Sequence, residues 1–243
     1  DITGISGLRD IRMTAEYIEA GACVTFAQLR DHPFLRQHVH VLAEAAAAVG
    51  AAAIQNAATW VGNLVQAMPA ADGAIAALAL EAEVRVMEAS GAAWQPVVGL
   101  FAGPGRSTVD PTRQLITHIR FPVPATAWGT AWRRAGRRPS LILPTVNCAA
   151  KLTLAADGSI AAAVVALGPV AAVPFRADGV EAFLQGAEPG PEAWAEVGRL
   201  AQAAAQPRPG QTVPAPPPTG AEAAVSKKPL VWILVAIVVV LIG

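Results

Sequence analysis

Six prolines fall between residues 207 and 218. Proline has a fixed φ and no N–H to donate, so this stretch cannot continue a helix or take a central place in a sheet. It reads instead as an extended polyproline-like rod, and it confines the globular part of the chain to the residues before it. About 20 residues at roughly 3 Å each would make a spacer several nanometres long. Beyond it, Lys227 and Lys228 precede an uninterrupted apolar run from Leu230 to Ile242. A helix over that run is roughly 20 Å long, short of a hydrocarbon core of roughly 30 Å. The sequence therefore predicts a linker over 207–228 and a single transmembrane helix over 229–243, which either continues beyond Gly243 or packs against partners and thins the bilayer locally. Lysines flanking such a run stay on the cytoplasmic side, so the globular part is expected at the cytoplasmic face of the inner membrane.

Charged residues make up 15% of the chain, and their signs cancel. No strong field steers the protein toward nucleic acid, which is excluded as a partner. Cys23 and Cys148 are far apart and are expected to be reduced, buried thiols. Iron–sulfur or zinc ligation by cysteine would need more ligands at close spacing. His32, His38, His40 and His118 have no metal-ligand spacing, and no catalytic constellation can be argued from the spacing of Ser, His, Asp or Cys. The chain begins at Asp1 without a methionine, and it is expected to be processed, truncated or read only in part there.

Residues 1–125 read as mixed α/β. A strand is expected over Tyr17 to Val24, with Thr25 capping a short helix through Gln28. Helices follow over Val39 to Val49, stopped by Gly50, and over Ala74 to Ala82; strands follow over Val84 to Met87 and Gln114 to Phe121. A second portion, 126–206, begins near Trp128. Two β-capable runs, Leu152 to Leu154 and Ile160 to Leu167, are joined by Asp157-Gly158, a hairpin signal. Helices over Asp178 to Leu184 and Pro191 to Ala205 complete it. The fold class is α+β, two α/β subdomains plus the membrane helix.

One stretch carries chemical information. It runs Ile54-Gln55-Asn56-Ala57-Ala58-Thr59-Trp60-Val61-Gly62-Asn63, then Met68-Pro69-Ala70-Ala71-Asp72. Further on come Gly136-Arg137-Arg138-Pro139-Ser140, Val146-Asn147-Cys148-Ala149-Ala150 and Ala166-Leu167-Gly168-Pro169-Val170-Ala171. This ordered set resembles the FAD-binding medium subunit of the molybdenum hydroxylases, of the carbon monoxide and xanthine dehydrogenase type. The resemblance implies that FAD would lie against Thr59, Gly62, Asn63 and Asp72, with glycine backbone approaching the diphosphate. No catalytic residue and no metal ligand is expected in this chain, on the spacing given above. Three departures bear on the resemblance. Val61 stands where the family has the first glycine of a pair, Trp60 replaces an aliphatic residue, and the family's earlier Gly-Gly-Thr-Asp turn has no counterpart. The Val61 side chain is expected to obstruct the diphosphate. The sequence thus predicts no cofactor and a degenerate, flavin-free structural subunit whose partners are the bilayer and transmembrane helices of a larger respiratory or photosynthetic complex. The alternative is an FAD-binding electron-transfer subunit of a membrane-attached molybdenum hydroxylase acting on an aldehyde, CO or xanthine type of substrate. On either reading, Thr59 and Asn63 can instead tie the loop and Asp72 can cap a helix. The basic cluster Arg133, Arg134, Arg137 and Arg138 would meet an anionic partner or lipid headgroups, or simply solvent.

Overall fold

A computed structural model describes residues 2–124, 127–136 and 141–206. In chain order the elements are β1 (Ile11–Met13), β2 (Tyr17–Gly21), α1 (Phe26–Asp31), α2 (Pro33–His38), α3 (His40–Ala48), α4 (Ala52–Ala57), α5 (Trp60–Val65) and α6 (Asp72–Ala79). There follow β3 (Glu83–Glu88), β4 (Gly91–Pro96), a 3-10 turn (Val97–Leu100), β5 (Phe101–Gly103), β6 (Arg106–Ser107) and β7 (Leu115–Pro122). The remainder is β8 (Trp128–Ala135), β9 (Val146–Leu154), β10 (Ile160–Gly168), β11 (Phe175–Arg176), α7 (Asp178–Leu184) and α8 (Pro191–Ala204).

The first sheet is antiparallel in the order β1-β2-β7-β3-β4, and the second in the order β11-β10-β9-β8. Strand β7 alternates buried Ile119 and Phe121 with partly exposed His118 and Arg120, as a strand with one covered face must. Arg120 lies 4.1 Å from the ring centroids of both Tyr17 and Trp94 and pairs with Glu83 at 2.7 Å. Thr25 forms the expected capping box with Gln28. The chain turns at Gly50 with φ +53, a left-handed conformation that favours glycine. The Asp157-Gly158 turn joins β9 to β10 as the hairpin signal requires. Both cysteines are buried and free, and burial holds the Cys148 thiol far above its ordinary pKa.

Helix α6 is the centre of the molecule, with all eight residues buried. It packs against α3 and α5 on one side and against β9 and β10 on the other. Four of its residues are alanines, which allow the second sheet to approach closely. Ala149 and Ala166 of that sheet join the same apolar cluster as Phe26, Trp60, Ile75 and Phe121. A second cluster fills the space between the second sheet and α7–α8, around Val165, Leu184 and Trp194.

The loop expected over 59–72 is in fact helical at 60–65, and residues 52–57, given no element from the sequence, form a helix too. Neither helix exceeds six residues, too short for an apolar period to register. Strands β4 and β8 also went unpredicted, β4 because it is Ala-rich and largely exposed. Among the described residues no helix is long and apolar enough to cross a membrane. The linker and span expected over 207–243 lie outside the described residues.

At Gly73, in its first turn, α6 lies tight against α5 and Phe26 of α1. A Cβ there would meet Asn63 Oδ1 at 2.6 Å and Phe26 Cζ at 3.0 Å. We expect Gly73→Ala to destabilise the protein by about 1–3 kcal/mol through overpacking. A urea midpoint equal to that of the wild type would show that α5 is free to move away.

Candidate functional site

Residues 24–26 and 58–60 run side by side, with Phe26 N–H donating to Ala58 O and Trp60 N–H to Val24 O. Thr59, held extended by this pairing, is the N-cap of α5; its hydroxyl accepts from Gly62 N–H at 3.0 Å. Trp60 is buried, and its indole N–H donates to Gly73 O at 2.9 Å, which ties α5 to α6. Val61 is only 5% exposed and packs into the core cluster. With so little of it exposed, it contributes only a small part of the wall of the pocket that it lines. The steric obstruction expected from the sequence is therefore not found.

Two pockets flank this short helix. One, of about 600 Å³, is lined by Thr59, Val61 and Gly62 together with the β5–β6 turn, including Gly105 and Arg106. The other, of about 450 Å³, is lined by Asn63, Gln66, Asp72 and Arg134 among mainly apolar neighbours. The four residues singled out in the sequence thus divide between two adjacent pockets, Thr59 and Gly62 at one, Asn63 and Asp72 at the other. The division falls between consecutive residues, Gly62 and Asn63.

Asp72 does not cap α6, whose N-cap is Ala71. Its carboxylate reaches the second sheet instead, accepting from Asn147 Nδ2 at 2.7 Å and from Arg134 Nη1 at 3.2 Å. The Asp72 and Arg134 side chains are 7% and 10% exposed. Burial, the strongest influence on Asp72, raises its pKa above the ordinary carboxylate range, against the lowering effects of the Asn147 hydrogen bond and the Arg134 charge. Asn63 Oδ1 is buried and has no hydrogen-bond partner among the described residues. An unsatisfied acceptor of that kind costs free energy unless a ligand or water supplies a donor.

Of the basic cluster, Arg133 pairs with Glu44 at 3.3 Å, and Arg134 is the residue beside Asp72. Arg137 and Arg138 lie outside the described residues. Neither Arg106 nor Asn147 was singled out from the sequence, although Asn147 lies in a quoted motif. Nothing local marks Arg106, an isolated arginine in a Gly-rich turn.

A pocket on either side of one capped turn, a buried ion pair and an orphaned acceptor suit an extended dinucleotide, and known proteins decide the question. The family of the FAD binding domain in molybdopterin dehydrogenase matches residues 1–124. The chain belongs to that family. The CO dehydrogenase flavoprotein C-terminal domain matches residues 131–214. The xanthine dehydrogenase FAD-binding subunit of Escherichia coli O157:H7 is 27% identical over 77% of this chain and 64% of its own length. The nicotinate dehydrogenase FAD-subunit of Eubacterium barkeri is 31% identical over 60% of this chain and 50% of its own. Carbon monoxide dehydrogenase from Hydrogenophaga pseudoflava superposes with a TM-score of 0.78 at 26% identity, covering 83% of this chain and 69% of that one. The chain thus spans just under two thirds of the length of the E. coli relative.

These relationships correct several expectations from the sequence. The expected absence of a cofactor is overturned by membership of an FAD-binding family. A flavin-free structural subunit is overturned with it, and so are the membrane localisation and the transmembrane-helix partners. The relatives are named as FAD-binding subunits of dehydrogenases.

The raised pKa of Asp72 has a definite sign. Between the unfolded and folded pKa values the folded protein binds more protons than the unfolded chain, so the Asp72 contribution to stability falls as pH rises. The stability of wild type minus that of Asp72→Asn is expected to decline from about pH 4 upward, by about 1.4 kcal/mol per pH unit within the window. Denaturant titrations from pH 3 to 7 measure it; a difference that grows with pH would contradict the assignment.

Proposed function

We propose that this chain binds FAD across the α5 turn and serves as the electron-transfer flavoprotein subunit of a molybdenum hydroxylase. Family membership supports the cofactor, and the two pockets of about 600 and 450 Å³ on either side of Thr59–Asn63 are the observation that carries it. Each is of a size that suits one end of a dinucleotide. The site residues we propose are Thr59, Gly62, Asn63 and Asp72. Thr59 fixes the turn through its cap, and Gly62 keeps the wall beside it low. Asn63 lines the second pocket, while its unsatisfied amide oxygen is buried against Gly73. Asp72 acts at one remove, by holding Arg134 and Asn147 of the second sheet in place.

We divide the chain at 125/126, with the turn in the first portion and Arg134 and Asn147 in the second, so both portions contribute to the site. When bound, the flavin would supply one- and two-electron redox chemistry. The chain's own residues bind and orient it and exclude water. The partners would be the other subunits of such an enzyme, as the relatives' names as subunits and medium chains suggest. The aldehyde, CO or xanthine type of substrate belongs to the whole enzyme.

Titrating the purified protein with FAD and following flavin fluorescence tests the reading. Saturable, stoichiometric binding is expected, with release of intact FAD on acid treatment. A protein that shows no saturable FAD binding would refute the proposal.

A further inference from the structure

We infer that Arg106, on the β5–β6 turn, is the cation that neutralises the ligand's diphosphate at the α5 turn. The inference rests on the FAD reading above and names a residue that the family motif does not include. It begins from hydrogen bonds already committed. Of the amides in the turn, Trp60 N–H donates to Val24 O, Gly62 N–H to the Thr59 hydroxyl and Asn63 N–H to Thr59 O. The Thr59 and Val61 amides lack a partner among the described residues. Two neutral N–H groups cannot neutralise a diphosphate, which carries two charges and several strong acceptor oxygens. A turn with its donors used internally needs a cation from elsewhere.

The larger pocket supplies one. Arg106 is the single charged residue among those lining it, and no carboxylate competes for its guanidinium there. Arg106 is exposed and has no ion-pair partner among the described residues. Most other described arginines are engaged: Arg12, Arg30, Arg120, Arg133, Arg134, Arg176 and Arg199 all pair with a carboxylate. The β5–β6 turn is anchored to the site, since Gly105 N–H donates to Ala67 O just after α5. The Arg106 backbone is therefore fixed beside the turn while its side chain stays free to fold over an anion. A planar guanidinium can hold two phosphate oxygens at once, and lysine can replace only its charge.

The test titrates FAD and riboflavin, which lacks phosphate, into wild type, Arg106→Ala and Arg106→Lys, each at low and raised NaCl. Arg106→Ala is expected to bind FAD about 10- to 100-fold more weakly, with riboflavin affinity unchanged. Arg106→Lys is expected to recover part of the loss, and FAD binding by Arg106→Ala should be less sensitive to salt than that of wild type. Because Arg106 is exposed, the variants should fold, and an unchanged thermal midpoint checks this. The inference is overturned if Arg106→Ala keeps wild-type FAD affinity, or if it weakens riboflavin by the same factor. A wild type that binds no FAD overturns the cofactor reading itself, an outcome distinct from either of these.

Discussion

Helix α6 is surrounded by protein, and its first residue is an aspartate with almost no water to solvate it. A buried carboxylate must be neutral or fully partnered. Here the partners come from the second sheet, Asn147 on β9 and Arg134 on β8. Satisfying Asp72 therefore fixes how the second sheet sits on α6, and with it the wall of the smaller pocket. The alanines of α6 let the sheet come close enough for those hydrogen bonds to form. Removing Arg134 would leave a buried carboxylate without its counter-charge, and removing Asn147 would cost it a hydrogen bond.

On the other side of α6, the constraint is steric. Trp60 donates to Gly73 O, and Gly73 has no room for a Cβ. Helix α5 is thereby held against α6, and Thr59 and Gly62 face one pocket while Asn63 faces the next. One six-residue helix separates the two spaces because its cap, its buried Trp and its contact with α6 all hold it in place. This is how the site can keep its shape although Val61 stands where relatives of the family have glycine. The valine side chain is buried in the core cluster, and it contributes only a small part of one pocket's wall.

Much of the fold was legible in the sequence. The Thr25 capping box, the Asp157-Gly158 hairpin, the helix at Asp178–Leu184 and the left-handed turn at Gly50 all follow from local chemistry that the structure reproduces. The short helices α4 and α5 were not legible, because six residues cannot display a helical period. The site was legible only in part. Thr59 was expected to tie its loop, and it does so as the cap of α5. The pairing of Asp72 with Arg134 and Asn147 depends on tertiary contacts across 62 and 75 residues, which no local pattern encodes, and the burial of Val61 likewise depends on its neighbours in the core cluster. The loss of flavin binding was inferred from Val61 as though the side chain must point at the ligand. That step failed because β-branching says nothing about which way a residue faces.

The central claim is that ligand occupies both sides of the α5 turn. Amide hydrogen exchange with and without FAD tests it most directly, since it reports where along the chain opening is suppressed. The account predicts added protection at residues 59–72 and at the 103–107 turn, with little change at Tyr17, Val98 and Arg120 around the pocket between Tyr17 and Arg176. Protection confined to that third pocket, with residues 59–72 exchanging as in the free protein, would contradict it.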